Sequence, residues 1–249
     1  FFNHFHEAMV CFPLLLWAMD EYMYKRRRGV FAFFVFVCCT VNYYFFVGQV
    51  VFLILYWLVR WGMRDQRFRS ISGRDFGLLW LEAVLGVLCS SILLFPTLFA
   101  ILQNNRVDNP ANGWGALLYD SNQRYLHILS CLFFPPDLPA RANFTPDSNS
   151  QWASLGAWLP LFSMSGVIAT LQARRKTWWK TLFCILLFMA FVPVLNSAFQ
   201  LFNASYYARW YYMLTLVMSL CTVTALQRED ADWPRAVKWT LGMTLAIGL

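Results

Sequence analysis

The chain has 249 residues, of which 59% are apolar and only 13% charged. A water-soluble globule averages about 25% charged residues, so this composition excludes one and makes lipid the solvent for much of the surface. A formal charge of +7 would suggest nucleic acid in a soluble protein, but in a membrane protein basic residues gather in cytoplasmic loops and no nucleic-acid partner is needed.

A helix perpendicular to the bilayer needs about 20 apolar residues to cross roughly 30 Å of hydrocarbon. In chain order the apolar runs are 8–23, 30–44, 45–61, 77–101, 156–172, 181–199, 208–226 and 239–249. They predict an all-α, polytopic transmembrane helical bundle of about eight membrane segments, forming one domain over 1–249. The chain opens on Phe1 with no signal peptide and ends inside an apolar run at Leu249, as expected of a fragment of a longer chain truncated at both ends.

Residues 30–61 admit one long helix or a hairpin broken near Asn42-Tyr43-Tyr44. Charge decides between them. Only a hairpin puts Lys25–Arg28 and the Arg60–Arg74 cluster on the same membrane face, as the positive-inside rule requires. Four basic loops, 25–28, 60–74, 174–180 and 228–238, are then cytoplasmic and hold sixteen of the twenty Lys and Arg. Arg106, Arg124, Arg141 and Arg209 remain outside. The opposite face carries a polar, turn-rich loop over about 102–155. Its Tyr125–Phe134 segment is amphipathic enough to lie along the interface, and Trp114, Trp152 and Trp158 suit an aromatic belt.

This topology gathers polar groups from distant segments on the extracytoplasmic side. They are His4, His6 and Glu7; Asn42, Tyr43 and Tyr44; Arg106; and Tyr206, Arg209 and Trp210, expected to line an outer cavity. Arg209 has two readings. Its guanidinium suits bidentate phosphate binding, or it snorkels to headgroups; Arg106 has the same pair. His4, His6 and Glu7 lack a third anchored ligand for a metal site and suit hydrogen bonding or general-base work better. No cofactor site is visible, and a divalent cation remains open. Glu82, an acid inside the 77–101 run, is either functional or paired with Arg69 or Arg74. Asp20 and Glu21 read as solvated interfacial charge. Seven Cys without a CxxC pair support neither a disulfide framework nor a zinc site.

Two stretches carry a family pattern. One is Phe1-Phe2-Asn3-His4-Phe5-His6, then Phe12-Pro13-Leu14, the basic run, Val41-Asn42-Tyr43-Tyr44-Phe45 and Phe52–Trp57. The other is Val192-Pro193-Val194-Leu195-Asn196-Ser197-Ala198-Phe199 followed by Tyr207-Ala208-Arg209-Trp210-Tyr211-Tyr212, with Ile92–Leu98 ahead of Arg106. The pattern resembles the bacterial YfhO family of membrane proteins over nearly the whole chain.

The resemblance implies a GT-C-like glycosyltransferase. Such an enzyme takes a sugar from a polyprenyl-phosphate donor and passes it, outside the cytoplasmic membrane, to a cell-envelope polymer such as teichoic acid. Arg209 and Arg106 would then bind the donor phosphate. The resemblance also implies a catalytic acid in a first outer loop upstream of Phe1, without which the fragment alone is inactive. The rival readings are a multi-pass transporter or lipid flippase, and a non-catalytic membrane assembly subunit.

Overall fold

The computed structural model describes residues 4–102, 117–119, 122–135, 157–159, 164–202 and 208–248. Every regular element among them is helical. The chain divides into two compact units, residues 1–110 with 199–203, and 111–198 with 204–249.

In the first unit α1 (His4–Lys25), α2 (Val30–Val41), α3 (Tyr43–Gly62) and α5 (Gly73–Cys89) pack side by side, with the short α4 (Gln66–Arg69) between α3 and α5. Side-chain pairs fix their directions. Phe12 meets Phe52 edge-on at 5.0 Å, and Tyr56 donates to Asp20 at 2.9 Å, so α1 and α3 are parallel. Trp17 against Phe34 and Cys38 Sγ on the Cys11 carbonyl make α2 antiparallel to α1.

Residues 30–62 therefore form the expected hairpin. Its break is Asn42, extended at φ −159°, whose side chain caps α3 by accepting from the Phe45 amide at 3.2 Å. The reversal between α1 and α2 uses positive φ at Arg26 (54°) and Gly29 (82°), the second natural for a residue without Cβ. Arg26 lies 3.9 Å from Asp75 and Tyr24 donates to Asp65 at 3.0 Å. Lys25–Arg28 and Arg60–Arg74 thus share one end of this unit.

The 77–101 run differs from the expected single helix. It bends by 66° between α5 and α6 (Ser91–Leu102). At the bend Ser90 Oγ donates to the Gly86 and Val87 carbonyls, a local bond that competes with helix continuation. Pro96 then withholds an amide from α6.

The second unit contains α7 (Gln123–Phe133), α8 (Ser165–Gln172), α9 (Trp178–Phe191), α10 (Pro193–Ser197), α11 (Tyr211–Leu226) and α12 (Trp233–Gly248). Small residues let α8 approach its neighbours. A Cβ on Gly166 would meet Thr222 Cγ2 at 2.5 Å, and Ala169, Ala225 and Ala236 form a close cluster. Lys180 donates to the Leu171 and Ala173 carbonyls at 2.5 and 2.9 Å, closing the C-terminal end of α8 as cations there do. The ends of α8 and α11 and the starts of α9 and α12 come together, so 174–180 and 228–238 also share one end of their unit.

The amphipathic 125–134 segment falls in α7, and its apolar face packs against its own unit. Ile128, Cys131, Leu132 and Phe133 are buried, covered by α9 and α12. Among the described residues one helix, α3, is long and apolar enough to cross a membrane by itself, and the bent pairs of α5 with α6 and α9 with α10 add up to two more if each is one span. Among the described residues α1 has the length of a span, with 22 residues, while several of the other apolar runs form helices shorter than one. α2 has 12 residues, α8 has 8 and α11 has 16, lengths of about 18, 12 and 24 Å at the helical rise.

Candidate functional site

The polar end of the first unit is built from the start of α1 and the hinge between α2 and α3. His4 opens α1, and His6 and Glu7 are exposed one turn in. Gln49 Nε2 donates to the Ala8 carbonyl at 3.3 Å, which brings that turn beside the first turns of α3. Asn42, Tyr43 and Tyr44 are half-buried there. Asn42 already has a structural role as the cap of α3. The structure thus gathers His6, Glu7, Asn42, Tyr43 and Tyr44 at the end opposite the basic stretches of this unit. Arg106 and Tyr206 lie outside the described residues.

In the second unit the polar end is organised by a broken helix. Val192 precedes a proline, which disfavours the helical region, and it sits extended at φ −111° and ψ 116°. The chain turns by 106° between α9 and α10. Such a break frees carbonyls of the preceding turn, and a buried carbonyl needs a donor. The Ala190 carbonyl accepts from Tyr119 Oη at 2.8 Å and from Asn196 Nδ2 at 3.4 Å. Asn196 Oδ1 in turn accepts the indole N–H of Trp210 at 3.3 Å. Asn196 is fully buried and Trp210 is 1% exposed.

Trp210 is therefore a packed anchor within its unit, where the sequence suggested a cavity wall. Its ring meets Tyr211 edge-on at 4.8 Å. The network fixes the residue directly after Arg209, and Arg209 is half-buried at the start of α11. Sequence reasoning missed Asn196 and Tyr119. The signal for Asn196 is an amide two residues past the helix-breaking Val192-Pro193-Val194. Asn196→Leu is expected to remove the amide oxygen that accepts the Trp210 N–H and lower stability by about 1–3 kcal/mol, read as a shift in the unfolding midpoint in detergent.

Glu82 has neither of its expected arginine partners within ion-pair distance among the described residues. It is buried, and it accepts from the Gly29 and Ala32 amides at 2.9 and 3.3 Å. Those amides open α2, whose own N-cap residue is glycine and offers no side chain. A carboxylate from α5 thus caps α2 and meets the positive end of its dipole. Glu82→Ala is expected to lower stability by about 2 kcal/mol, since a cap and a buried acceptor are lost together. Thermal unfolding of the variant beside Glu82→Gln checks this, with the amide variant falling between the two.

The basic end of the first unit also departs from expectation. Asp20 and Glu21 are not solvated charge. Glu21 is buried and meets Lys25 at 2.6 Å and Arg27 at 3.5 Å, while Asp20 accepts from Tyr56. Arg60, assigned by sequence to a cytoplasmic loop, is 5% exposed. Its guanidinium donates to Asp65 Oδ2 at 2.8 and 2.5 Å, to Tyr56 Oη at 2.7 Å and to Tyr24 Oη. It also lies 4.6 Å from the centre of the Phe68 ring. Burial alone would raise the Asp65 carboxyl, but the Arg60 hydrogen bonds and charge prevail and hold it below the usual carboxylate range. The signal for Arg60 was present: Phe45, Gln49, Phe52, Tyr56 and Arg60 recur at helical spacing on one stripe.

No three His, Cys, Asp or Glu side chains gather as a metal ion would require among the described residues. A family model described as bacterial membrane protein YfhO matches residues 1–249. No curated protein and no solved structure matches the chain.

Proposed function

The chain belongs to the YfhO family of bacterial membrane proteins, and from that premise we propose that it serves a GT-C-like glycosyltransferase that uses a polyprenyl-phosphate sugar outside the cytoplasmic membrane. The observation that carries this reading is the position of Arg209. It stands at the start of α11, while the basic stretches of its unit collect at the other end of that helix. With those stretches cytoplasmic by the positive-inside rule, Arg209 faces the outside. The polar end of the first unit is extracytoplasmic by the same rule applied to 25–28 and 60–74.

In such a transfer an acceptor hydroxyl attacks the anomeric carbon while the bond to the donor phosphate oxygen breaks, and the hydroxyl proton passes to the catalytic carboxylate that the family resemblance implies. Negative charge then develops on the departing lipid phosphate. A guanidinium fixed beside the first turn of a helix is suited to that charge, because the helix contributes its partial positive end. The Asn196–Trp210 bond limits how far Arg209 can move, and a preorganised cation stabilises developing charge without having to reorient.

Arg209→Ala in the complete protein is expected to lower sugar transfer to the envelope polymer by about 10²–10³-fold, the usual scale for one such donor, with folding retained. Undiminished transfer would remove the phosphate role. A transporter or flippase is the second reading, favoured by the 66° and 106° bends, since discontinuous helices are common in transporters. Substrate flux in proteoliposomes without a glycosyl product would select it.

A further inference from the structure

The cations at the basic end of the first unit fall into two groups. Lys25, Arg26, Arg27 and Arg60 each have a carboxylate within 4 Å. Arg28, Arg64, Arg67, Arg69 and Arg74 are exposed and have none among the described residues. All five are arginine, whose planar fork matches phosphate oxygens better than an ammonium does. We propose that this surface binds the phosphate groups of anionic phospholipids at the cytoplasmic leaflet.

Three observations support a lipid as the occupant. Phe68 is fully buried against the Tyr24 and Tyr56 rings, and it pins α4 so that its neighbours Arg67 and Arg69 point outward. Arg74 lies in the first turn of α5 and Arg28 just ahead of α2. A cation opposes the dipole at a helix N-terminus, so local helix stability does not account for either. The surface is also flanked by Trp61 and Trp80, both about half exposed, the residue type enriched at headgroup depth. Basic clusters beside a membrane helix attract anionic lipid in this way.

The test uses the full-length chain reconstituted in phosphatidylcholine vesicles containing a minor fraction of phosphatidylglycerol. Lipids retained after detergent extraction are counted by native mass spectrometry. The expected result is a preference for phosphatidylglycerol that falls several-fold in R67Q/R69Q/R74Q, and that falls likewise for the wild-type chain in molar sodium chloride. An undiminished preference in the folded triple variant overturns the proposal. So does displacement of the lipid by inorganic phosphate at an ionic strength where sodium chloride leaves the preference intact, because the surface would then serve a soluble anion. The salt and phosphate arms use the wild-type chain and decide the matter even if the triple variant does not fold.

Discussion

Replacing Arg60 with Ala is expected to destabilise the first unit by about 3 kcal/mol or more, because removing one partner of a buried ion pair strands the other. Several contacts go at once. Asp65 loses two charge-assisted bonds, the Tyr24 and Tyr56 hydroxyls lose a donor, and Phe68 loses the cation over its ring. Arg60→Lys keeps a charge but loses the fork, and is expected to recover only part of the loss. Reversible unfolding in mixed micelles measures both variants. The same pair sets a pH dependence. Asp65 is held below its ordinary value, so its contribution is fully present above about pH 4, the range of a free Asp. It is lost as pH falls through the lowered native value. Asp65→Asn should flatten that acid limb.

Gly86→Val is expected to have a comparable effect, about 3 kcal/mol, for a steric reason. Even a Cβ at Gly86 would lie 2.6 Å from the Ala32 carbonyl oxygen and 2.6 Å from Val35 Cγ1. The carbonyl is backbone and cannot rotate away, so α2 and α5 must separate, and overpacking of this kind typically costs about 1–3 kcal/mol or somewhat more. Separation also pulls Glu82, one turn earlier, off the Gly29 and Ala32 amides. The two sites should therefore couple in a double-mutant cycle with Glu82→Gln. Gly77→Ala, on the same helix, is the control. Its Cβ meets nothing within 4 Å, and it is expected to gain about 0.5–1 kcal/mol from helix propensity.

The hairpin at Asn42 was legible because charge placement carries information that apolar runs lack. Only a reversal at Asn42 brings Lys25–Arg28 beside Arg60–Arg74, and the structure has that reversal. The bends at Ser90 and Val192 were not read, although a serine pair and a Val-Pro step mark them. Hydropathy averages over such local backbone chemistry. Arg60 and Glu82 were legible as charges but not as partners. Their roles depend on which helix lies opposite, and that is set by close approach at Gly86 and by rings contributed from α1 and α4. Asn196 was hidden for a related reason. Its value comes from a carbonyl left open by the break at Val192 and from an indole fourteen residues further on.

Sidedness of the helix ends is the claim on which the functional reading rests. In a cysteine-free background, single cysteines at Glu7, Arg67, Arg175 and Arg209 would be treated with a membrane-impermeant maleimide in intact and in permeabilised cells. Labelling at 7 and 209 in intact cells, with 67 and 175 reacting only after permeabilisation, is the expected outcome. Equal reactivity of 175 and 209 in intact cells would contradict it and remove Arg209 from any extracytoplasmic phosphate site.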